Sequence, residues 1–105
     1  MKAEIASSLQ SLDIAWFATE KGYTMFTRGN CAAIGHEQPA GISLGSSGMM
    51  TEAGFAYLVW RDNQAFLIAH GGTEIVANPE QLEAIRRFSA DLKSALDGGI
   101  ASGSE

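Results

Sequence analysis

Cys31, His36 and His70 are the side chains of this 105-residue chain best suited to nucleophilic, acid–base or metal chemistry. A reactive thiolate needs a base and a cationic or helix-terminal setting that lowers its pKa. Cys31 is instead followed by Ala32-Ala33-Ile34, an apolar stretch suited to a buried thiol. His36 and His70, with Glu52 or Glu74, would supply a two-histidine carboxylate metal site, but no local ligand spacing marks one. Ser43, Ser46 and Ser47 lack the G-x-S-x-G elbow of a serine hydrolase. No acid–base or nucleophile pair stands at a recognisable spacing, so the sequence leans against an enzyme, and neither a metal nor a cofactor is expected. A single cysteine also excludes an intramolecular disulfide.

The stretch from Gly41 to Gly48 (Gly-Ile-Ser-Leu-Gly-Ser-Ser-Gly) resembles a phosphate cradle, in which backbone N–H groups of a glycine-rich loop meet an anion. No lysine follows Gly48, where Met49-Met50 stand instead, and the glycines do not follow G-x-G-x-x-G. With Pro39 and Gly54 around it, the segment from Gln38 to Gly54 predicts a loop, with one helical turn at 49–53. Gly41, Gly45, Ser46, Ser47 and Gly48 are the candidate ligand-binding residues. They would close an apolar pocket if the chain is a small-ligand-binding domain, the alternative to the leading reading below.

The elements that position these residues follow from periodicity. Ile5, Leu9 and Leu12 predict an amphipathic helix over 2–12. Segments 14–19 and 23–28 read as strands about a Lys21-Gly22 turn, which pairs Phe17 with Phe26 and Ala18 with Met25. Cys31 to His36 reads as a further short strand. Segments 55–60 and 64–70 form a hairpin about Asp62-Asn63, pairing Leu58 with Leu67, Val59 with Phe66 and Trp60 with Ala65. Gly71-Gly72 then leads to a strand over 73–77. Asn78-Pro79-Glu80-Gln81 heads a second helix, with Leu82, Ile85, Phe88, Leu92 and Leu96 in one stripe and a stop at Gly98-Gly99.

The predicted fold is one α+β domain over 1–97. It has an antiparallel sheet of about five strands flanked by an N-terminal and a C-terminal helix, in the order helix, two strands, loop or short helix, three strands, helix. Residues 98–105 are predicted to be a disordered tail. This element order resembles the profilin-like arrangement of roadblock and longin domains. That resemblance implies a small module that dimerises and scaffolds other proteins.

Charge narrows the partners. Seven Lys and Arg stand against 12 Asp and Glu, for a net charge of −5 and no basic stripe. Nucleic-acid binding and polybasic membrane attachment are therefore not expected. The longest apolar run, Phe55 to Trp60, is far short of the ~20 residues of a membrane span. The start Met-Lys-Ala-Glu-Ile carries no signal-peptide core, which points to the cytoplasm. Within this frame the aromatics matter most. The strands are apolar at both parities, yet two helices cover only one sheet face. The uncovered face implies a homodimer with room for a further protein partner. Trp60 is the expected anchor, with Leu58 and Leu67 beside it on the interface.

Overall fold

The computed structural model describes residues 3–19, 21–39, 41–52, 54–69 and 71–104, with side chains up to Asp97. The chain forms α1 (Ala3–Ser11), then β1 (Ala15–Ala18), β2 (Tyr23–Arg28), β3 (Cys31–Gln38), β4 (Gly41–Thr51), β5 (Gly54–Arg61), β6 (Gln64–Ala69) and β7 (Glu74–Val76), then α2 (Pro79–Ser104). The strands make one antiparallel meander in sequential order. The α+β class and the flanking helices agree with expectation, but the sheet has seven strands rather than about five.

The difference is β3, which lengthens the further short strand read over 31–36, and β4. The segment predicted as a loop is an 11-residue strand paired with β3 along most of its length and with β5 at its C-terminal end. Glycines and serines disfavour a strand by propensity, but tertiary context overrides that preference. One glycine of β4 and one of the neighbouring β3 have packing reasons for their places. A Cβ on Gly48 would lie 1.9 Å from the Ala56 carbonyl oxygen, and one on Gly35 would lie 2.8 Å from the Phe26 ring. The helical turn expected near Met49 is absent from Met49 to Thr51, which are strand; Ala53 lies outside the described residues. With a strand in that place, the element order departs from the profilin-like one.

The first hairpin closes one residue wider than a Lys21-Gly22 turn. Thr19 donates its N–H to the Tyr23 carbonyl at 2.8 Å, and Gly22 takes φ 79°. Trp16 therefore pairs with Phe26, and Phe17 with Met25. A one-residue slip exchanges the two faces, so Phe17 lies opposite Phe26 in facing, not beside it. The Asp62-Asn63 hairpin has the expected register, and both turn residues take positive φ, as a type I′ turn requires.

The helix ends follow local chemistry. α1 closes in a Schellman motif: Ile14 N–H reaches the Leu9 carbonyl at 2.9 Å, Asp13 N–H reaches Gln10 at 3.1 Å, and Asp13 takes φ 58°. α2 opens with a reciprocal capping box. The Gln81 N–H donates to the Asn78 Oδ1 at 2.8 Å, and the Asn78 N–H donates to the Gln81 Oε1 at 2.9 Å. α2 does not stop at Gly98-Gly99 but runs on to Ser104, because a helix already formed tolerates glycine at about 1 kcal/mol each. The tail's side chains and Glu105 lie outside the described residues.

Ile5 and Leu9 of α1 and Ile85, Phe88, Leu92 and Leu96 of α2 pack with Phe26, Ala33, Ala56 and Leu67 in one core. All four sheet residues belong to the same face. Arg28 ties three elements together at its margin. It donates to the Leu12 carbonyl beyond α1 at 3.1 Å, pairs with Asp91 of α2 at 2.9 Å, and lies 5.8 Å from the Phe88 ring centroid.

Candidate interaction surface

Strand alternation divides the sheet into two faces. The helix-covered face carries Trp16, Phe26, Cys31, Ala33, Met49, Ala56, Leu58 and Leu67. The open face carries Phe17, Tyr23, Phe55, Tyr57 and Phe66, which is most of the strand aromatics. No described helix covers them.

Register turns this open face into rows. One row runs Phe17, Met25, Ile34 across β1 to β3, and a separate one runs Val59, Phe66, Val76 across β5 to β7. A β-bulge in β4 lies between them. The β3–β4 pairing changes register between Ala33↔Ser47 and Gly35↔Leu44, so Gly45 and Ser46 together oppose Ile34. The bulge keeps Ile42 and Leu44 on the same covered face as Met49 despite their opposite parity. The adjacent row runs Ala15, Thr27, Ala32, Gly48, Tyr57, Ile68, Glu74. Its first half has no large side chain. A ridge of bulky apolar groups therefore lies beside a trough of small ones.

The ridge and its surroundings are accessible. Phe17 is 54% exposed, Val76 56%, Met50 44% and Tyr57 38%. The rim is polar: the Tyr23 and His36 rings meet at 5.4 Å, and Arg61 pairs with Glu74 while lying 4.6 Å from the Phe66 ring centroid.

The expected interface residues do not share this face. Leu67 is 1% exposed beneath the helices, and Leu58 packs against the same core. Trp60 belongs to that face too, but is 60% exposed, lining a groove with Pro79, Leu82 and Ile85. Facing was not legible because β5 and β6 are apolar at both parities, so only the packing of α2 says which side is inside.

The expected pocket-closing residues, Gly41, Gly45, Ser46, Ser47 and Gly48, are spread along β4 rather than gathered in a loop. Gly45 and Ser46 form the bulge, Gly48 approaches β5, and Ser47 lines a groove beneath α2. Cys31 is buried on the covered face, and burial raises its thiol pKa despite the opposing pull of the Arg28 charge. His36 is exposed on the open face, so Cys31 and His36 point to opposite sides of β3. His70 lies outside the described residues. Among the described residues no group of three His, Cys, Asp or Glu could hold a metal, and no helix is long and apolar enough to cross a membrane.

No family model, no curated protein and no solved structure matches the chain.

Proposed function

We propose that the chain is a non-enzymatic interaction module that forms a two-fold homodimer through the open face of its sheet. The observation that carries this reading is the ridge of Phe17, Met25 and Ile34 beside the trough of Ala15, Thr27, Ala32 and Gly48, with a second bulky row of Val59, Phe66 and Val76 on the same face. A two-fold axis sets each subunit's ridge against the other's trough, which is the self-complementarity an isologous interface requires. Sheets stack face to face at about 10 Å when inner side chains interdigitate in this way.

Area supports the same occupant. Phe17, Tyr23, Met50, Tyr57 and Val76 together expose on the order of 450 Å² of side chain. The half-buried neighbours bring the patch to roughly 600–700 Å², beyond what monomers ordinarily expose and near the ~800 Å² per subunit of a standard interface. The polar rim of His36, Arg61 and Glu74 matches the usual surround of an apolar interface centre.

Light scattering on the full chain tests the proposal. The wild type is expected at about twice 11.1 kDa. Tyr57→Asp and Val76→Asp, both at exposed positions, are expected to run at the single-chain mass with unchanged circular dichroism. Trp60→Asp, on the opposite face, is expected to stay dimeric. A wild type that runs as a monomer at tens of micromolar would remove the proposal.

A further inference from the structure

The sheet has a gap beneath α2. Arg61 and Gln64 close the two-residue Asp62-Asn63 turn, so Arg61, Val59 and Tyr57 direct their backbone N–H and C=O groups toward β6. Those of Ala56, Leu58 and Trp60 point the other way, toward β4. Ala56 meets Met49 there, but the β4–β5 ladder ends at Gly48↔Tyr57. Among the described residues no β4 partner stands opposite Leu58 or Trp60. The rest of β4, back to Gly41, pairs with β3 through the bulge at Gly45-Ser46. Bulges re-aim strands in this way and are enriched beside functional sites.

The fork between the two strands opens under the first turns of α2 as a groove of about 550 Å³. Ser47 lines it from β4, Leu58 and Trp60 from β5, and Leu82, Ile85 and Ser89 from α2. Trp60 leaves a large exposed indole here, although it belongs to the face that the helices cover. Glu83 and Arg86 are the charged residues in the lining, and they neutralise each other. Arg86 donates from Nε at 3.0 Å and from Nη2 at 2.7 Å, one bond to each Glu83 oxygen. The groove thus combines apolar walls, no net charge, and a stretch of β5 whose outward backbone groups lack a strand partner.

We infer that this groove receives an extended, uncharged, apolar segment of another polypeptide, added as a strand along β5 from Leu58 to Trp60. Alternate residues of a strand stand roughly 6.8 Å apart. An extended chain therefore meets the outward groups of both Leu58 and Trp60 with its own backbone, which a compact small molecule does not. Its side chains on the α2 side lie against Trp60, Leu58 and Leu82. In strand addition of this kind, main-chain hydrogen bonds give affinity and pockets for alternate side chains give specificity. The groove's charge balance selects the apolar segment, because a charged side chain would lose its hydration against these walls and meet no net counter-charge. The site differs from the glycine-loop pocket suggested by sequence, because Ser47 is its only contribution from Gly41 to Gly48. It lies on the face opposite the proposed dimer surface and does not depend on it.

Isothermal titration of the full chain with the peptide acetyl-Thr-Val-Thr-Val-Thr-amide tests the inference. Saturable binding of one peptide per chain is expected. Two N-methylated forms, one methylated at both valines and one at the three threonines, remove the backbone donors of one parity each. At least one of them is expected to bind about tenfold or more weakly. Replacing both valines by lysine, or both by glutamate, is expected to weaken binding to a similar degree. Trp60→Ala is expected to weaken the parent peptide about tenfold or more, and Tyr57→Asp on the open face to leave it unchanged, which separates this site from the dimer surface. The inference is overturned if the peptide shows no saturable binding up to millimolar concentration, if both methylated forms bind like the parent, if either charged form binds as tightly as the parent, or if Trp60→Ala has no effect. It is equally overturned if the peptide halves the wild type's mass in light scattering, which would put a second copy of the chain in the groove.

Discussion

Gly48→Ala is the sharpest test of the strand that sequence propensity misses. An ideal Cβ at this position lies 1.9 Å from the Ala56 carbonyl oxygen and 2.8 Å from the Tyr57 Cα. Both are backbone atoms, so no rotamer change relieves the clash. β5 must shift by more than 1 Å at the place where its ladder with β4 begins, which disturbs the pairing from Gly48↔Tyr57 to Thr51↔Gly54. Overpacking costs about 1–3 kcal/mol, and a ladder hydrogen bond lost in the interior costs about 1–3 kcal/mol more. The expected total is about 3–5 kcal/mol, a large fraction of the ~5–15 kcal/mol that holds a domain together. At about 4–8 °C per kcal/mol, the melting midpoint should fall by roughly 12–40 °C. Two neighbours serve as internal standards. Gly35→Ala meets the Phe26 ring at 2.8 Å and the Ile42 side chain at 3.0 Å, groups that can yield, and should cost about 1–2 kcal/mol. Gly45→Ala meets the Ile34 carbonyl at 3.3 Å and should stay within about 0.5 kcal/mol of wild type. Thermal melts followed by circular dichroism read all three. If the three alanine variants melt together near wild type, β4 is not seated against β5 as described.

Other consequences are simpler to check. Asn78→Ala removes one half of the α2 capping box and should cost about 1 kcal/mol in urea unfolding. Cys31 should react with a thiol reagent far more slowly in the native protein than in urea, since its thiol is buried and its pKa raised. Because that pKa is raised above the reference of 9.0, the associated stability is fully present below pH 9 and is lost as pH rises through the folded value. Cys31→Ala should therefore flatten the alkaline limb of the stability curve. Hydrogen bonds from Arg86 and Arg87 hold the Glu83 carboxyl down to about 2. An NMR titration should accordingly find Glu83 ionised through pH 4, and its ion pairs lost only as pH falls through that low value.

Sequence alone determined the parts of this protein whose causes are local. The Asn78 capping box, the α2 stripe from Leu82 to Leu96 and the type I′ hairpin at Asp62-Asn63 each rest on residues a few positions apart. The excess of apolar surface was legible too, because apolar residues at both strand parities require cover on both sheet faces. Tertiary structure decided what depends on distant neighbours. β4 looks like a loop by composition, and becomes a strand because β3 and β5 supply its hydrogen bonds and Ala56 leaves no room for a side chain at Gly48. The first hairpin's register turns on a single residue at its closure, and that residue decides whether Phe17 or Trp16 faces the core. Trp60, Leu58 and Leu67 share one face in any antiparallel pairing about Asp62-Asn63, but which side that is depends on where α2 packs. Strand alternation says which residues face the same way; only the helix that covers one side makes that side the inside.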